Sequence, residues 1–342
     1  MNGSLRWGLG ILSLLALMAV LPPPIDPVDQ VDPVASRHRP PGTLLHRLEL
    51  VDGRTLLVDR FELRGQEVQI LRGGRSQVLQ RSAIANLSPV DGTAPRRVFL
   101  LGSDRFGRDI WSRMMAGARV SLLIAILAMA LASTLGTFIG VVAATAGPRL
   151  DNLLMRGVDA ALAFPSLFLV LGLSAILEPS TAQVILLLGC TGWMSTARLA
   201  RGELVSLRER DFVIASRSLG QRRSLIILRH LLPNALNPLL IDAALKIGNL
   251  ILAEAALSFF GLGVQAPTPS WGNMVSDGRT TAGVVWWSAF FPGLAIAVTV
   301  IAFNLVAEGL RRRLNPRSHT PRRPLSSGEE SPAEDLATLP AS

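Results

Sequence analysis

Long apolar runs alternate with short polar segments along most of this chain. There are six of them: Leu5–Leu21, Ala116–Ala146, Val158–Leu177, Ala182–Ala200, Leu236–Phe260 and Val284–Leu310. A helix needs about 20 apolar residues to cross a bilayer, and each run is about that long or longer. We therefore predict an all-α polytopic membrane protein with about six transmembrane helices.

The first run admits two interpretations. Its length, with Arg6 near the start and three prolines from Pro22 at the end, also fits a signal peptide. No small-x-small cleavage site stands next to a polar stretch. We expect a retained first transmembrane helix over residues 1–24, which the family resemblance of later motifs in the chain also implies.

Residues 25–98 follow a different pattern. Ile25–Pro41 is rich in proline and aspartate and indicates an extended linker. Thr43–Ser88 alternates polar and apolar residues, and Asp52-Gly53 and Gly73-Gly74 interrupt it as hairpin turns do. This predicts a β-rich extracytoplasmic insert of about four short strands, as a small sheet or an SH3-like barrel. A partner contact and a passive spacer are both open as its role.

An arginine-rich polar segment, residues 201–235, lies between the fourth and fifth runs. Its apolar positions recur at helical spacing, which predicts helices over Glu203–Ser218 and Gln221–Leu231. Gly220 permits the break between them, and Pro233 is expected to end the second helix. Arginine-rich loops stay on the cytoplasmic side, and span parity then places both chain termini there too.

Two polar stretches flank the membrane runs. Arg105–Arg119 intersperses arginines with apolar residues and predicts an interfacial amphipathic helix. In this topology its arginines lie on the outer side, against the usual charge bias. Residues 99–314 form the transmembrane domain, and residues 315–342, rich in Pro, Ser and Glu, are expected to be a disordered cytoplasmic tail.

Composition limits the kinds of partner and site that the chain is expected to have. The net charge of +9 comes almost entirely from arginine, since Lys246 is the only lysine, and there is no tyrosine. Without a basic face interleaved with aromatics, we expect no nucleic-acid partner and attribute the charge to membrane topology. Cys190 is the sole cysteine, and His38, His46, His230 and His319 do not cluster. We therefore expect neither a metal site nor an enzyme.

The chain also lacks a nucleotide-binding loop. A Walker A motif needs a glycine-rich loop ending in Lys and Ser or Thr, but Lys246 follows Leu245 inside an apolar run. We therefore expect no cofactor in this chain. If the chain works in an ATP-driven process, the energy must come from a partner subunit.

Three motifs carry a family resemblance. Residues 201–235 resemble the EAA loop of ABC-importer permeases, with Ile214, Ala215, Ser216, Gly220, His230, Leu232 and Pro233 at its pattern positions. Ile214 and His230 depart from the usual Glu and Ile. Leu101–Leu122 and Glu254–Met274 match the dipeptide, oligopeptide and nickel branch of the family. The resemblance covers about Val98–Leu314.

The resemblance implies a permease subunit in the bacterial cytoplasmic membrane. Its partners would be membrane lipid, a second permease, cytoplasmic ATP-binding subunits and an extracytoplasmic solute-binding protein. Peptides are the favoured cargo, with nickel or another small solute as alternatives. Closure of the ATPases would move the EAA-like loop and switch the pore from outward-facing to inward-facing.

The ATPase-coupling residues follow from the loop. Arg208, Asp211, Phe212 and Arg217 are expected to be exposed contacts, and Ala215, Ser216 and Gly220 to let the two helices approach closely. His230 and Pro233 complete the matched set. The plainer interpretation is a solvated loop that only holds the topology.

Charged residues in the fifth run suggest a translocation pathway. Asp242 and Lys246 are spaced i,i+4 and can pair on one helix face, and we place them near the cytoplasmic end. Asn249 either faces the pathway or joins neighbouring helices by hydrogen bonds. An alternative is an ion-coupled secondary transporter using Asp242, Lys246 and Glu254, although no inverted repeat is visible. A structural or sensory membrane protein is a third possibility.

The last motif predicts an outer loop. Its matched residues are Glu254, Gly261, Gly263, Pro269, Trp271 and Gly272. Glu254 is expected to be structural. The resemblance implies that this side faces the docked binding protein, while Trp271 also suits simple anchoring at the membrane interface.

Overall fold

The computed structural model describes residues 3–28, 35–86, 96–281 and 283–314. The predicted tail, residues 315–342, lies outside this range. The helices are α1 Gly3–Val20, α2 Ile110–Ala146, α3 Pro148–Leu162, α4 Ser166–Ser174, α5 Thr181–Arg208, α6 Asp211–Ser218, α7 Arg223–Ile226, α8 Leu232–Phe259, α9 Trp271–Arg279 and α10 Trp287–Leu314. The chain is therefore mostly helical, as predicted.

Three of these helices, α1, α2 and α10, are long and apolar enough to cross a membrane, and the bent pair α3 and α4 makes up to four. Helices α5 and α8 each have 28 residues, or about 40 Å at the usual rise. Both carry charged residues within their length. By this measure the chain is multi-pass, with fewer clearly apolar spans than the six predicted.

The third predicted run is not one helix. Helices α3 and α4 meet at a bend of 76°, with Pro165 just before α4. Proline has no N–H to donate and disfavours helical backbone in the residue before it. Residues 148–157 are also helical, because Gly147, with φ 113°, ends α2 and Pro148 opens α3, where proline is well tolerated.

Small residues bring α2 and α5 together. The two helices run in the same direction, with Gly136 against Trp193 and Gly140 against Ala200. A Cβ at Gly136 would lie 2.5 Å from the Trp193 carbonyl oxygen. Such close backbone approach is how helices pack in membranes, where apolar burial gives little drive.

Helix α8 lies at the centre of the bundle, in contact with α2, α5, α9 and α10, while α1 packs antiparallel on α10. The bundle thus has two ends. The loop end holds α6 and the C-terminal ends of α2, α5 and α10. The insert end holds α9, the N-terminal ends of α2 and α10, and the strands.

The strands are β1 Thr43–Glu49, β2 Thr55–Val58, β3 Arg60–Arg64, β4 Glu67–Arg72, β5 Arg75–Gln80 and β6 Arg96–Phe99. They form two antiparallel three-stranded sheets, ordered β2-β1-β6 and β3-β4-β5. A β-rich insert is confirmed, with six strands among its described residues instead of about four. Strand β6 lies outside the predicted segment Thr43–Ser88. Gly53 and Gly74 have positive φ, as their turns require.

Candidate functional site

The segment at the loop end is divided differently from the prediction. Helix α5 ends at Arg208 and α6 begins at Asp211, so the predicted helix Glu203–Ser218 is two helices. The second break is where it was expected. Gly220 has φ 78° with no other atom within 4 Å of an added Cβ, a backbone conformation that glycine adopts at least cost.

Pro233 does not end a helix. Helix α7 continues through a π-helical turn, Ile227–Leu231, directly into α8, where Pro233 occupies the first turn. Proline removes one N–H from the hydrogen-bond ladder of this continuous helix. The wider π turn accommodates local disruption of the helical ladder. Helix α7 and the π turn are therefore continuous with α8.

Helix α6 is held by one narrow face. Val213 and Ser216 are buried against a cluster that includes Leu204, Ile226 and Leu231. His230 Nε2 lies 3.3 Å from Ser216 Oγ, which links α6 to the π turn. Of the three small residues expected to bring the helices together, only Ser216 does so.

The opposite face of α6 is open. Asp211, Phe212, Ala215 and Arg217 are exposed, and Leu219 beyond the helix is 82% exposed. Ala215 and Gly220 thus face outward, contrary to the expected close approach between helices. This exposed face lies at the loop end.

Arginines surround a cavity of about 410 Å³ beside α6. Its lining includes Arg208, Arg217 and Arg223 together with apolar residues of α6, α7 and the π turn. Arg208 also donates a hydrogen bond to the carbonyl oxygen of Ala144. That bond ties the end of α5 to the last turn of α2, so Arg208 is only partly exposed.

A second cavity, of about 340 Å³, lies between α4, α5 and α8. Lys246 and Asn249 line it, together with Thr191, Gly192 and Ser195 of α5. The Lys246 ammonium donates to the Gly192 carbonyl oxygen and to Ser195 Oγ, both at 3.0 Å. Two of the three predicted pathway residues therefore face one space.

Asp242 is placed differently. Its Oδ2 accepts a hydrogen bond of 2.8 Å from Thr196 Oγ1 and lies 3.7 Å from Lys246 Nζ. The i,i+4 pair is present, but it is longer than a hydrogen bond. Lys246 lies at the middle of α8 and not near the loop end as expected. At that depth the ammonium cannot reach the membrane surface by extending its side chain. Asp242 is not part of the cavity lining.

Glu254 belongs to a separate, fully buried network. It accepts hydrogen bonds from Ser258 Oγ at 2.8 Å and Ser121 Oγ at 3.2 Å. Ser121 also accepts from the backbone N–H of Trp271. Glu254 therefore fastens α8 to α2 and α9, and it does not join Lys246 in one ion-coupling site.

The predicted outer loop is largely packed. Trp271 is fully buried and donates its indole N–H to the Met114 carbonyl oxygen at 3.1 Å, so it neither anchors at an interface nor faces a partner. Pro269 and Gly263 are buried, and a Cβ at Gly272 would lie 2.7 Å from Ala255 Cα. Gly261, with φ 79°, ends α8.

The sequence did not predict α9 or its carboxylate. Asp277 accepts from Arg108 Nη2 at 3.0 Å and from Arg113 Nη2 at 3.4 Å, while Arg108 Nε donates to Asp104 at 2.6 Å. Arg105 reaches the other oxygen of Asp277. There is no interfacial helix over Arg105–Arg119, because Asp109 caps α2 directly. These buried ion pairs explain how arginines lie at the insert end.

Sequence comparison places the chain among known transport proteins. Residues 136–320 match the family model described as binding-protein-dependent transport system inner membrane component. A putative peptide transport system permease protein of Brucella suis is 44% identical over 218 residues, covering 64% of this chain and 73% of the relative. The dipeptide transport system permease protein DppC of Alkalihalophilus pseudofirmus is 39% identical over 241 residues, covering 70% and 79%.

Structural comparison returns the inward-facing MetNI methionine ABC transporter. The similarity has a TM-score of 0.47 at 17% identity, over 58% of this chain and 94% of the other.

Proposed function

The chain belongs to the family of binding-protein-dependent transport system inner membrane components, and from this premise we propose how it works. It is a permease subunit of an ATP-driven importer. This membership replaces the secondary transporter and the structural protein as interpretations. What remains is to assign the cargo, the orientation and the coupling element.

Peptides are the proposed cargo. Relatives at 44% and 39% identity carry the names of peptide and dipeptide permeases. The central cavity has room for a short peptide, since ordinary ligand sites span about 300–1,000 Å³. One copy of this chain would form half of the pore, with a second permease as the other half.

The proposed topology has six spans: α1, α2, the α3–α4 pair, α5, α8 and α10. It places both termini and the arginine-rich loop end in the cytoplasm and the β-rich insert outside. Support comes from the opposite ends at which the loop and the insert lie. Cysteines at Ser206 and Gly74, in a Cys190→Ala background, should then react with an impermeant thiol reagent from opposite sides of the membrane.

The exposed face of α6 is the proposed coupling element, and it is the observation that carries the function. Asp211, Phe212 and Ala215 point away from the bundle, while α7 and the π turn, against which α6 packs, continue unbroken into α8. A short helix seated in a groove of an ATPase subunit would therefore move α8 as a rigid lever. The conformation of this segment is stabilised by residues that do not contact the partner: Arg208, Gly220, His230 and Pro233.

Reconstitution tests the proposal. Vesicles holding this chain, its second permease, the ATPases and the binding protein should accumulate a dipeptide against its gradient when ATP is supplied. Vesicles that hold this chain alone should neither hydrolyse ATP nor accumulate the dipeptide. Uphill uptake by the chain alone, driven by an ion gradient, would contradict the proposal.

A further inference from the structure

We propose that the central cavity binds the free carboxylate of a peptide cargo through Lys246. The proposal rests on the permease function above and specifies which end of the cargo the cavity recognises. It starts from one observation: the only lysine of the chain lies buried at the middle of α8, on the wall of a cavity between three helices.

The Lys246 ammonium has one donor to spare. An ammonium carries three N–H groups. One donates to the Gly192 carbonyl oxygen and one to Ser195 Oγ, both at 3.0 Å. Asp242 Oδ2, at 3.7 Å, is beyond hydrogen-bond distance. Among the described residues, the third N–H therefore has no hydrogen-bond acceptor and is available to a guest in the cavity.

Lys246 is the charged group that a guest in the cavity would meet. Asp242 Oδ2 forms an ion pair with Lys246 Nζ at 3.7 Å, but the same oxygen accepts a 2.8 Å hydrogen bond from Thr196 of α5, and Asp242 does not line the space. Of the described residues that do, Lys246 alone is charged. The low local dielectric strengthens the attraction for an anion and the repulsion of a cation, so the cavity favours the carboxylate end of a zwitterionic peptide.

A second polar group is suitably placed beside the ammonium. Asn249 follows Lys246 by three residues on α8, which puts both on one helix face, and both line the cavity. Its amide can donate to the second carboxylate oxygen. Thr191 Oγ1 already donates its hydrogen to the carbonyl oxygen of Leu187 in its own helix. Its hydroxyl is therefore not needed as a donor to the guest.

The rest of the wall is mostly apolar, with Ser166 as its one remaining hydroxyl among the described residues. It is formed by Leu162, Leu167, Val170, Leu188, Leu250 and Leu257. Such a wall accepts side chains of varied shape without demanding a hydrogen bond, and discrimination by missing methylenes is weak. The cavity would therefore recognise the peptide terminus and tolerate its side chains.

A purely structural role for Lys246 makes a different prediction. If the ammonium only joins α5 to α8, its loss would lower stability and affect all guests equally. If it binds a carboxylate, its loss would abolish the preference between an anionic and a cationic guest. The experiment therefore measures that preference, not overall activity.

A thiol inside the cavity supplies the measurement. Thr191→Cys in a Cys190→Ala background is placed in the full transporter in membrane vesicles and labelled with N-ethylmaleimide. Two probes compete: N-acetyl-dialanine, which carries only the carboxylate, and alanyl-alanine amide, which carries only the ammonium. Val51→Cys, at an exposed position of the insert, controls for effects on the reagent.

We expect N-acetyl-dialanine to slow labelling at Thr191→Cys. Alanyl-alanine amide should protect at least about tenfold less, because it lacks the one charge-assisted hydrogen bond that the carboxylate makes. Lys246→Met should remove this difference, and Lys246→Arg should keep it. Neither probe should protect Val51→Cys.

Equal protection by both probes in the wild-type background would overturn the proposal, whether or not any Lys246 variant assembles. A preference that survives Lys246→Met would also overturn it, as would the absence of protection by either probe. The proposed function fails separately. If N-acetyl-dialanine protects but the complete vesicles do not accumulate a dipeptide, the carboxylate site stands and the peptide importer does not.

Discussion

At the insert end of the bundle, charged side chains are buried and paired, whereas at the loop end they are mostly exposed. Arg113 and Arg108 retain only 3% and 8% of their side-chain exposure beside Asp104 and Asp277. The same end holds the Glu254 network and Trp271. Even the insert is fastened there. Trp287 donates to the Ser103 carbonyl oxygen, Ser103 N–H donates to the Arg39 carbonyl oxygen, and Arg39 N–H donates to Ser103 Oγ.

The loop end has fewer such constraints. Helix α6 contacts the bundle mainly through Val213 and Ser216, and Gly220 has empty space around it. The arginines there line an open cavity rather than a closed ion-pair network. Because α5 and α8 run between both ends, the loop end can shift while the insert end stays fixed. A motion started at α6 would then reach the central cavity between these helices.

The largest expected effect is at the insert end. Asp277→Ala removes the acceptor shared by Arg108 and Arg113 and leaves these two buried arginines with Asp104 as their remaining carboxylate. Breaking a buried ion pair costs about 3–5 kcal/mol. We expect a marked drop in the melting temperature of the purified chain or loss of the folded protein. Glu62→Ala, whose pair with Arg64 is about 70% exposed on both sides, is the control and should change little. A melting temperature unaffected by Asp277→Ala would show that the network does not fix this end.

A smaller loss of stability is expected at two glycines with positive φ, one at each end of the bundle. Gly220 and Gly53 have φ of 78° and 83°, each with nothing within 4 Å of an added Cβ. A valine at either position costs about 1–3 kcal/mol of backbone strain. Only Gly220→Val should also lower the amount of peptide transported per ATP hydrolysed and weaken co-purification of the ATPase.

Gly53→Val is the matched control, because it carries the same strain in the insert. Its transport per ATP should equal that of the wild type. Normal coupling and ATPase co-purification in Gly220→Val, at normal protein levels, would show that the loop is not the coupling element.

The sequence was sufficient for what depends on neighbours in the chain. The apolar runs predicted α1, α2 and α10, and the dipeptides Asp52-Gly53 and Gly73-Gly74 predicted hairpin turns of the insert. Gly220 was identified because a positive φ is a local demand. Pro165 also signals a helix break from the local sequence alone. The third run was nevertheless interpreted as one helix, because its residues are almost continuously apolar.

What the sequence could not supply was pairing over distance. Asp277 lies more than 160 residues from the arginines it binds, so those arginines were interpreted as an interfacial helix. Trp271 was placed in a loop, although Ser270 and Asn273 form a capping box, a signal that precedes helix α9. Pro233 was misinterpreted because a proline can end one helix or open the next, and only the π turn before it decides.

The smallest effect tests whether the loop end is truly the less constrained one. Asp151 of α3 accepts two hydrogen bonds from Arg201 of α5, at 3.1 and 2.7 Å, and it is the loop-end counterpart of Asp277. Arg201 is partly exposed to solvent, so the pair is screened and should contribute about 0.2–1 kcal/mol. Asp151→Ala should therefore shift the melting temperature far less than Asp277→Ala, although both remove a bound carboxylate. A double-mutant cycle with Arg201→Ala isolates the pair's own contribution. A coupling energy as large as the cost of Asp277→Ala would mean that both ends are equally fixed, and the lever proposed for α8 would lose its movable end.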